Sequence, residues 1–416
     1  RTTKPIVAVL YTHFHYVAGT QAVLDAFPDQ KIKIYGHEKI AYNRVRTATE
    51  IAPAYSRGLV EQFAITLPTE GKDGNVNVGL GRFYRNPEHK TQTNGFIAPT
   101  ETFNSACTLK VAGLEIDVMP APSDADDSVT YWFKSLGCAV NNLVWPVLFN
   151  VFAIRGEEYR DPRILLTGID HLLSLSAKHL VGAHGMPISG EQEIFERVTK
   201  YRDSIQFLWD QTVRLTNRGY TSVELAHSIR LPEFYDDDNL TSEFYGVTEH
   251  HVRQIRSGLL GWFDGDEANL FPLPRIEHSD RMIAGFGGRE KVRQQTHDAI
   301  DNDDLRWACE LGSWLVNSTD VENSDKMLLS SVLRLIAQRT TAANIRNWCL
   351  ARARHLDETF DLTRFNRHRV SKKQVIASPV GNSLSALRVL LIPERATRVE
   401  THIAFNFSSH KMSGLH

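Results

Sequence analysis

The sequence predicts an α/β protein in which a layered strand-and-helix part is followed by a helical part. From Ile6 to about residue 190, short strand-like runs alternate with helical ones, which favours a layered α/β domain. From residue 191 to about 317, apolar residues recur every three or four positions, which is the period of an amphipathic helix.

The strand predictions rest on apolar or alternating runs. The first run, 6–11, is continuous and rich in β-branched residues, which favours a buried strand. Other runs alternate with period two, as half-buried strands do. They are 31–35, 109–118 with a turn at Ala112-Gly113, and the pair 131–133 and 138–140. Between them, the Gly- and Asn-rich stretch 70–95 predicts a long loop.

The helical predictions rest on apolar stripes. One stripe runs through Ile194, Val198, Tyr201, Ile205, Leu208 and Trp209. The segments 289–316 and 326–356 continue the helical pattern, and a third segment near residue 375 leads to an alternating run at 401–407.

Composition excludes several classes of protein. The 416 residues allow two to four domains at roughly 100–200 residues each. Lys and Arg number 47 against 49 for Asp and Glu, and this net charge of -2 argues against a chain that coats nucleic acid or an anionic membrane. No apolar run approaches the roughly 20 residues of a membrane span. Four cysteines are too few and too scattered for a disulfide framework or a zinc finger, whereas 17 histidines leave room for a metal site.

Two short segments carry metal-ligating residue types at predicted strand ends. His13 and His15, at a spacing of two, directly follow the first strand, and neutral imidazole suits zinc or iron. His184 follows the apolar Leu180-Val181. The spacing of two histidines is a weak signal by itself, so a surface pair remains the alternative. Glu157 and Glu158 are interpreted as members of an exposed charged turn.

The loop around these histidines resembles a motif of the alkylsulfatase class of the metallo-β-lactamase superfamily. That class carries Thr-His-x-His-x-Asp-His, and this sequence has Thr12-His13-Phe14-His15-Tyr16-Val17-Ala18, so Val17 and Ala18 replace an aspartate and a histidine. Further matches follow in order along the chain. They are Asn142 at a glutamate position, Asn150, Ile154-Arg155-Gly156, Arg160-Asp161, His184 with Pro187, 79–81, 95–100, 210–215, 217–221 and 261–265.

The resemblance implies a particular fold and domain order. We expect a metallo-β-lactamase-like αββα sandwich over residues 1–235, a helical dimerisation domain over 236–370, and part of a sterol-carrier-like α/β domain over 371–416. The segment 303–308 resembles the dimerisation domain. We also expect a homodimer, and a missing N-terminal piece or chain that would complete the sandwich and cover its bare edge. Localisation stays open, although relatives are often secreted or periplasmic.

The resemblance also implies the site. Two ions would need the positions of His13, His15, Asn142, Val17, Ala18, His184 and a shared Asp161. Because Val17 and Ala18 offer no donor atom, we predict that a two-metal site cannot form. We expect one divalent ion, zinc or alternatively iron, on His13, His15, Asp161 and His184. Phe14 and Tyr16 are expected to fill the space of the second ion.

Substrate contacts are assigned by the same resemblance. Arg214 matches an arginine near the sulfate, a task that a guanidinium fork suits, and Asn150 is expected to face the substrate. Asp161 and Arg214 are the predicted catalytic residues. The expected substrate is a small molecule, such as an alkyl sulfate or a related amphiphile, and no nucleic acid.

Three functions remain open at this stage. The first is sulfate ester hydrolysis by metal-activated water, as in alkylsulfatases, with one metal site lost. The second is other chemistry on a mononuclear metal, including oxidation, since two histidines and a carboxylate also hold non-haem iron. The third is a non-catalytic relative that serves as a scaffold or dimer partner.

Overall fold

The computed structural model describes residues 4–81, 95–368, 380–406 and 413–415. Within these ranges the strands form three sheets. The strands are β1 Ala8–Leu10, β2 Lys33–His37, β3 Glu101–Phe103, β4 Cys107–Val111, β5 Leu114–Pro120, β6 Val129–Phe133, β7 Cys138–Asn141, β8 His179–Gly182, β9 Ile188–Ser189, β10 Ala404–Asn406 and β11 Ser413–Leu415.

The helices include both the outer layers of the sandwich and a separate helical part. They are α1 Thr20–Ala26, α2 Ile40–Ala48, α3 Ala52–Gln62, α4 Pro162–Ser174, α5 Glu191–Thr216, α6 Ser222–Ser228, α7 Thr248–Leu260, α8 Glu267–Leu270, α9 Arg275–Gly285, α10 Arg289–Asp301, α11 Leu305–Val316, α12 Asn323–Arg339, α13 Ala343–Leu356, α14 Val380–Arg388 and α15 Pro393–Ala396. In the described part of the chain, no helix combines the length and the apolar character that crossing a bilayer requires.

Two sheets face each other in the first part. The smaller sheet is parallel, in the order β1-β2-β3, and the larger has the order β4 to β9. Leu10 of β1 and Phe103 of β3 pack against the buried cluster of the larger sheet, which contains Ile116 and Tyr131. Helix α4 and helix α5 cover the other face of the larger sheet, while Ile40 of α2 packs on the smaller one. The predicted sandwich of helix, sheet, sheet and helix is confirmed.

The predicted strand segments fold as expected because their turns suit them. β4 and β5 pair in antiparallel register, with Val111 opposite Leu114. Ala112 and Gly113 between them have φ of 52° and 83°, as a two-residue hairpin turn of the primed type requires. The expected loop at 70–95 has no helix or strand in its described part, 70–81. The remainder of that loop, Ser378-Pro379 and Phe407 lie outside the described residues.

The helical part forms its own core. Helix α12 and helix α13 bury Leu329, Leu333 and Leu350 together with Leu67 of the loop after α3. A second cluster joins Ile283 of α9, Val292 of α10 and Leu311 of α11. The helical part therefore packs directly against the segment that follows α3.

Strand ends position the polar residues. The loop after β1 is tied to β6, because the Tyr131 hydroxyl donates to the Tyr11 carbonyl oxygen at 2.8 Å and the Val129 amide donates to that of Thr12 at 3.0 Å. β7 and β8 are parallel neighbours, so the residues after both strands emerge at the same edge of the sheet. The loops after β1, β5, β7 and β8 supply the site described next.

Candidate metal centre

The two loop histidines lie side by side at the end of β1. His13 is buried, and its ring centroid is 5.1 Å from that of His15. Thr12 Oγ1 lies 3.0 Å from His13 Nδ1, which fixes the ring and leaves Nε2 facing the interior. In metal-binding histidines, one ring nitrogen typically binds the metal while the other is held by a hydrogen-bond partner, as Thr12 holds Nδ1 here.

The carboxylate of this group is Asp124, in the loop after β5. One ligand atom from each of His13, His15 and Asp124 lies within 4.8 Å of the other two. The Asp124 carboxylate is 3.0 Å from His15 Nδ1 and 3.8 Å from His13 Nε2. The three side chains therefore form a compact His-His-Asp group.

Asp161, the carboxylate expected here from the sequence, does not join this group. It caps helix α4, where its Oδ1 accepts from the Arg163 amide at 2.9 Å. The Arg163 guanidinium donates to the same carboxylate, with Nη2 at 2.6 Å from Oδ2. Capping and the ion pair hold the Asp161 oxygens, so Asp124, and not the expected Asp161, is the carboxylate that lies beside His13 and His15.

Charge and burial set the protonation of the histidines. Burial lowers the pKa of His13 to about 3 and that of His184 to about 4, so both rings are neutral at pH 7, as ligands must be. Burial opposes ionisation of Asp124, but His13 and His15 outweigh it and hold its pKa well below the usual value. Contact with Asp124 and Glu157 likewise outweighs burial and raises the pKa of His15.

Glu157 is part of the site, which corrects its interpretation as a member of an exposed turn. Its side chain is only 4% exposed, and its carboxylate is 2.6 Å from Arg155 Nη1 and 3.4 Å from His15 Nε2. The neighbouring Glu158 side chain is 61% exposed and fits the earlier interpretation. A charged turn therefore supplies one inward and one outward carboxylate.

Two buried arginines lie beside the group. Arg155 Nη2 is 3.4 Å from His15 Nε2, and its guanidinium stacks over Tyr55 at 5.1 Å. Arg160 is 5% exposed, and its Nη1 donates to the Asn150 carbonyl oxygen at 2.6 Å. Two guanidinium groups beside two carboxylates give this interior the means to bind an oxyanion.

His184 lies near the histidine loop. The Tyr16 ring is 5.4 Å from the His13 ring and 5.1 Å from the His184 ring, although Tyr16 as a whole is 61% exposed. Trp145 packs against His184 at 4.9 Å. His184 borders a cavity of about 670 Å³, whose lining also includes Leu80.

Val17, Ala18 and Asn142 occupy positions where the family has ligand residues, and only Asn142 directs a polar side chain into the site. Val17 is buried in an apolar cluster with Tyr11 and Ile34, and Ala18 offers only backbone atoms, so neither provides a ligand. Asn142, expected at a glutamate position, points into the site. Its Nδ2 donates to Asp124 Oδ1 at 2.5 Å and lies 3.5 Å from His13 Nε2. Asn142 thus contacts both His13 and the Asp124 carboxylate.

The structure does not bring Asn150 or Arg214 to the His-His-Asp group. The Asn150 amide is fully buried, and a Cβ added at Gly246 would come within 2.5 Å of its Oδ1 and within 3.1 Å of His251 Nε2. Arg214 is exposed near the end of α5, where its Nε donates to Gln211 at 2.7 Å. Arg214 therefore lies away from the His-His-Asp group, whereas Arg155 and Arg160 are buried beside it.

The residues present fit one metal ion. His184 Nε2 is a buried atom without a hydrogen-bond partner among the described residues, as expected of a nitrogen that faces a ligand site. Two imidazoles and a carboxylate suit zinc or iron. The side chains of Val17 and Ala18 carry no donor atom for an ion.

Comparison with known proteins identifies the family. The chain is 33% identical over 364 residues to the linear primary-alkylsulfatase of Pseudomonas sp. (strain ATCC 19151), covering 85% of this chain and 67% of that protein. It is 26% identical over 366 residues to an alkyl/aryl-sulfatase of Saccharomyces cerevisiae, covering 86% of this chain and 56% of that one. Residues 221–359 match the family described as alkyl sulfatase dimerisation.

A solved structure shares the fold. The stereoselective inverting sec-alkylsulfatase Pisa1 from Pseudomonas sp. superposes with a TM-score of 0.83 at 24% identity, over 95% of this chain and 63% of that one. The chain belongs to the alkylsulfatase class of the metallo-β-lactamase superfamily. It spans about half to two thirds of the length of these relatives.

Proposed function

We propose that this chain hydrolyses alkyl sulfate esters with a single divalent metal ion bound by His13, His15 and Asp124. The observation that carries the proposal is the compact His-His-Asp group, whose ligand atoms lie within 4.8 Å of one another beside the buried Arg155 and Arg160. Membership of the alkylsulfatase class supports the substrate class. His184, with its unpartnered Nε2, is proposed as an additional ligand, and zinc as the ion.

Each protein group has a part in the proposed reaction. When bound, the ion would lower the pKa of a water molecule toward about 7 and make hydroxide available. Asn142 holds the Asp124 carboxylate in place. Glu157 holds the Arg155 guanidinium beside His15. Arg155 and Arg160 bind the sulfate oxygens, where negative charge collects as the ester bond breaks.

The larger cavity gives the substrate's carbon chain a place. It has a volume of about 670 Å³ and is bordered by His184, Trp145, Leu80 and Phe244. Apolar side chains beside a metal ligand suit an amphiphile whose charged head reaches the arginines. We propose that a linear alkyl sulfate lies with its chain in this cavity, and that the match to dimerisation helices reflects a homodimer.

Release of sulfate from a series of linear alkyl sulfates tests this function. With added zinc, the chain should release sulfate, and Asp124→Asn should lose at least about 100-fold in kcat/KM because a metal ligand is removed. Asp161→Asn is the matched control and should retain activity within about threefold. Equal loss in both variants would contradict the assignment of the carboxylate.

A second candidate rests on the ligand set itself. Two histidines and one carboxylate with open positions also hold non-haem Fe(II) in oxygenases, and the described site has this composition. Iron in the purified protein, oxygen consumption with an amphiphile and no sulfate release would favour this candidate. A chain that binds no metal and releases no sulfate would instead be a non-catalytic relative.

A further inference from the structure

A second cavity, remote from the metal centre, lies between α3 and the helical part. It has a volume of about 410 Å³, and residues of five helices, α3, α9, α11, α12 and α13, line its wall. Its lining residues are Arg57, Glu61, Arg275, Cys309, Ser313, Asn317, Leu329, Leu333, Trp348, Arg352, His355, Leu362, Thr363 and Asn366. None of them borders the cavities at Asp124 or His184.

The wall of this cavity carries an excess of positive charge. Arg57, Arg275 and Arg352 face it with one carboxylate, that of Glu61. Arg57 donates to the Asn366 side chain at 2.5 Å. Arg275 and Arg352 take part in no ion pair within 4.0 Å in the described ranges of the chain. Three guanidinium groups that share a cavity with a single carboxylate leave a net positive charge, which favours the entry of an anion.

Burial disfavours the charged forms of both Arg352 and Glu61 at this wall. Burial and the nearby charge of Arg275 outweigh Glu61 and lower the pKa of Arg352. Burial likewise raises the pKa of Glu61, although Arg57 and Arg352 both act against it. Burial is the larger cause of both shifts, and an anion between the arginines would offset the smaller repulsion between Arg275 and Arg352.

The remaining wall is apolar. Leu329, Leu333 and Leu362 are buried, and Trp348 is half-buried beside them. A bare inorganic ion would leave this surface and most of the volume unused. The combination of a guanidinium cluster with an apolar and aromatic wall is suited to a charged head group attached to an apolar body.

We propose that this cavity binds an organic oxyanion, with the head group held by Arg275 and Arg352 and an apolar or aromatic body packed on Trp348, Leu329 and Leu333. The cavity lies between α3 of the sandwich part and helices α9, α11, α12 and α13, so a ligand would link the two parts of the chain. The site does not depend on the proposed hydrolysis, because it uses none of the metal-centre residues.

Calorimetric titration of the intact, metal-loaded chain with phenylphosphonate tests the proposal. We expect saturable binding of one ligand per chain, at least tenfold tighter than that of inorganic phosphate. Arg352→Gln and the more exposed Arg275→Gln should each weaken binding by tenfold or more, since each removes a charged donor. Arg218→Gln, which changes an exposed arginine outside the cavity, should bind within twofold of the wild type.

Binding at the metal centre is distinguished by Asp124→Asn, which should leave the titration unchanged. The proposal is overturned if phenylphosphonate does not saturate by about 10 mM, if inorganic phosphate binds equally well, or if Asp124→Asn abolishes binding while Arg352→Gln does not. It is also overturned if Arg275→Gln alters only the mass of the oligomer in light scattering, because the arginines would then serve an interface between copies.

Discussion

Glu157→Gln removes the charge of a buried carboxylate while keeping its shape, and its effect on stability follows from the structure. Arg155 Nη1 is 2.6 Å from this carboxylate, and the Glu157 side chain is only 4% exposed. Burial acts against ionisation, but contacts with His15 and Arg155 prevail and lower the pKa of Glu157 to about 2 from its ordinary 4.5. Each pKa unit corresponds to about 1.4 kcal/mol, so the folded state favours the ionised form by roughly 3 kcal/mol.

Loss of the buried ion pair by itself predicts a change of the same size in the free energy of unfolding. Removal of one partner from a buried ion pair costs about 3–5 kcal/mol, because the remaining charge stays buried without compensation. We therefore expect Glu157→Gln to lower the free energy of unfolding by about 3 kcal/mol at pH 7. Urea denaturation with excess chelator measures this, since a bound ion then adds nothing to the stability.

The pH dependence has a defined sign. The pKa of Glu157 is lower in the folded state, so its contribution is complete above about pH 4.5 and is lost as the pH falls through about 2. The difference between wild type and variant should shrink over that window. Glu158→Gln, which changes the adjacent exposed carboxylate, should stay within about 0.5 kcal/mol of the wild type. Equal destabilisation by the two substitutions would refute the buried pairing of Glu157.

Three further predictions follow from other parts of the structure. His251 is buried and its pKa is lowered to about 3, so the folded state resists its protonation below pH 6.5. When the pH falls from 7 to 5, the free energy of unfolding measured with urea should fall by about 2 kcal/mol more in the wild type than in His251→Asn. An equal fall in both proteins would contradict this. Residue 17 lies in an apolar cluster, so Val17→Asp should lower the free energy of unfolding by about 3 kcal/mol. Elemental analysis of this variant should show no additional ion, and a gain of one ion per chain would refute the prediction. A Cβ at Gly58 would lie 2.2 Å from the Arg155 carbonyl oxygen. Gly58→Ala should therefore lower the free energy of unfolding by about 1–3 kcal/mol and reduce sulfate release. Ser56→Ala, at an exposed position of the same helix, should change neither quantity.

The fold was largely predictable because its signals are local. The hairpin of β4 and β5 follows from alternation on both sides of Ala112-Gly113. The histidine loop follows from its place after an apolar run. Family resemblance added the sandwich and the helical part, which the periodicities alone describe only as layered and helical.

The carboxylate of the site was not predictable from the motif order. Asp124 lies in the loop after β5, about a hundred positions from His13, and only the packing of the sheets brings the two together. A local signal did argue against Asp161. It directly precedes Pro162 at the start of a helical stretch, and an aspartate before a proline in this position is typical of a helix N-cap.

Arg214 and Glu157 were both misplaced by the sequence patterns. Arg214 was expected at the site and is exposed, whereas Glu157 was expected to be exposed and is buried. Arg214 lies off the buried stripe of α5 that includes Leu208 and Leu215, so helical periodicity alone predicts its exposure. Glu157 looks like part of a solvated turn, and its burial depends on Arg155 and His15, which the sequence places far apart from each other.

The metal content of three proteins, measured by elemental analysis after dialysis against zinc, tests the central claim most directly. We predict one ion per chain in the wild type and in Asp161→Asn, and less than about a tenth of an ion in Asp124→Asn, because Asp124 completes the His-His-Asp group. Two ions in the wild type, or loss of the ion in Asp161→Asn with retention in Asp124→Asn, would contradict the single-metal site proposed for this alkylsulfatase-class chain.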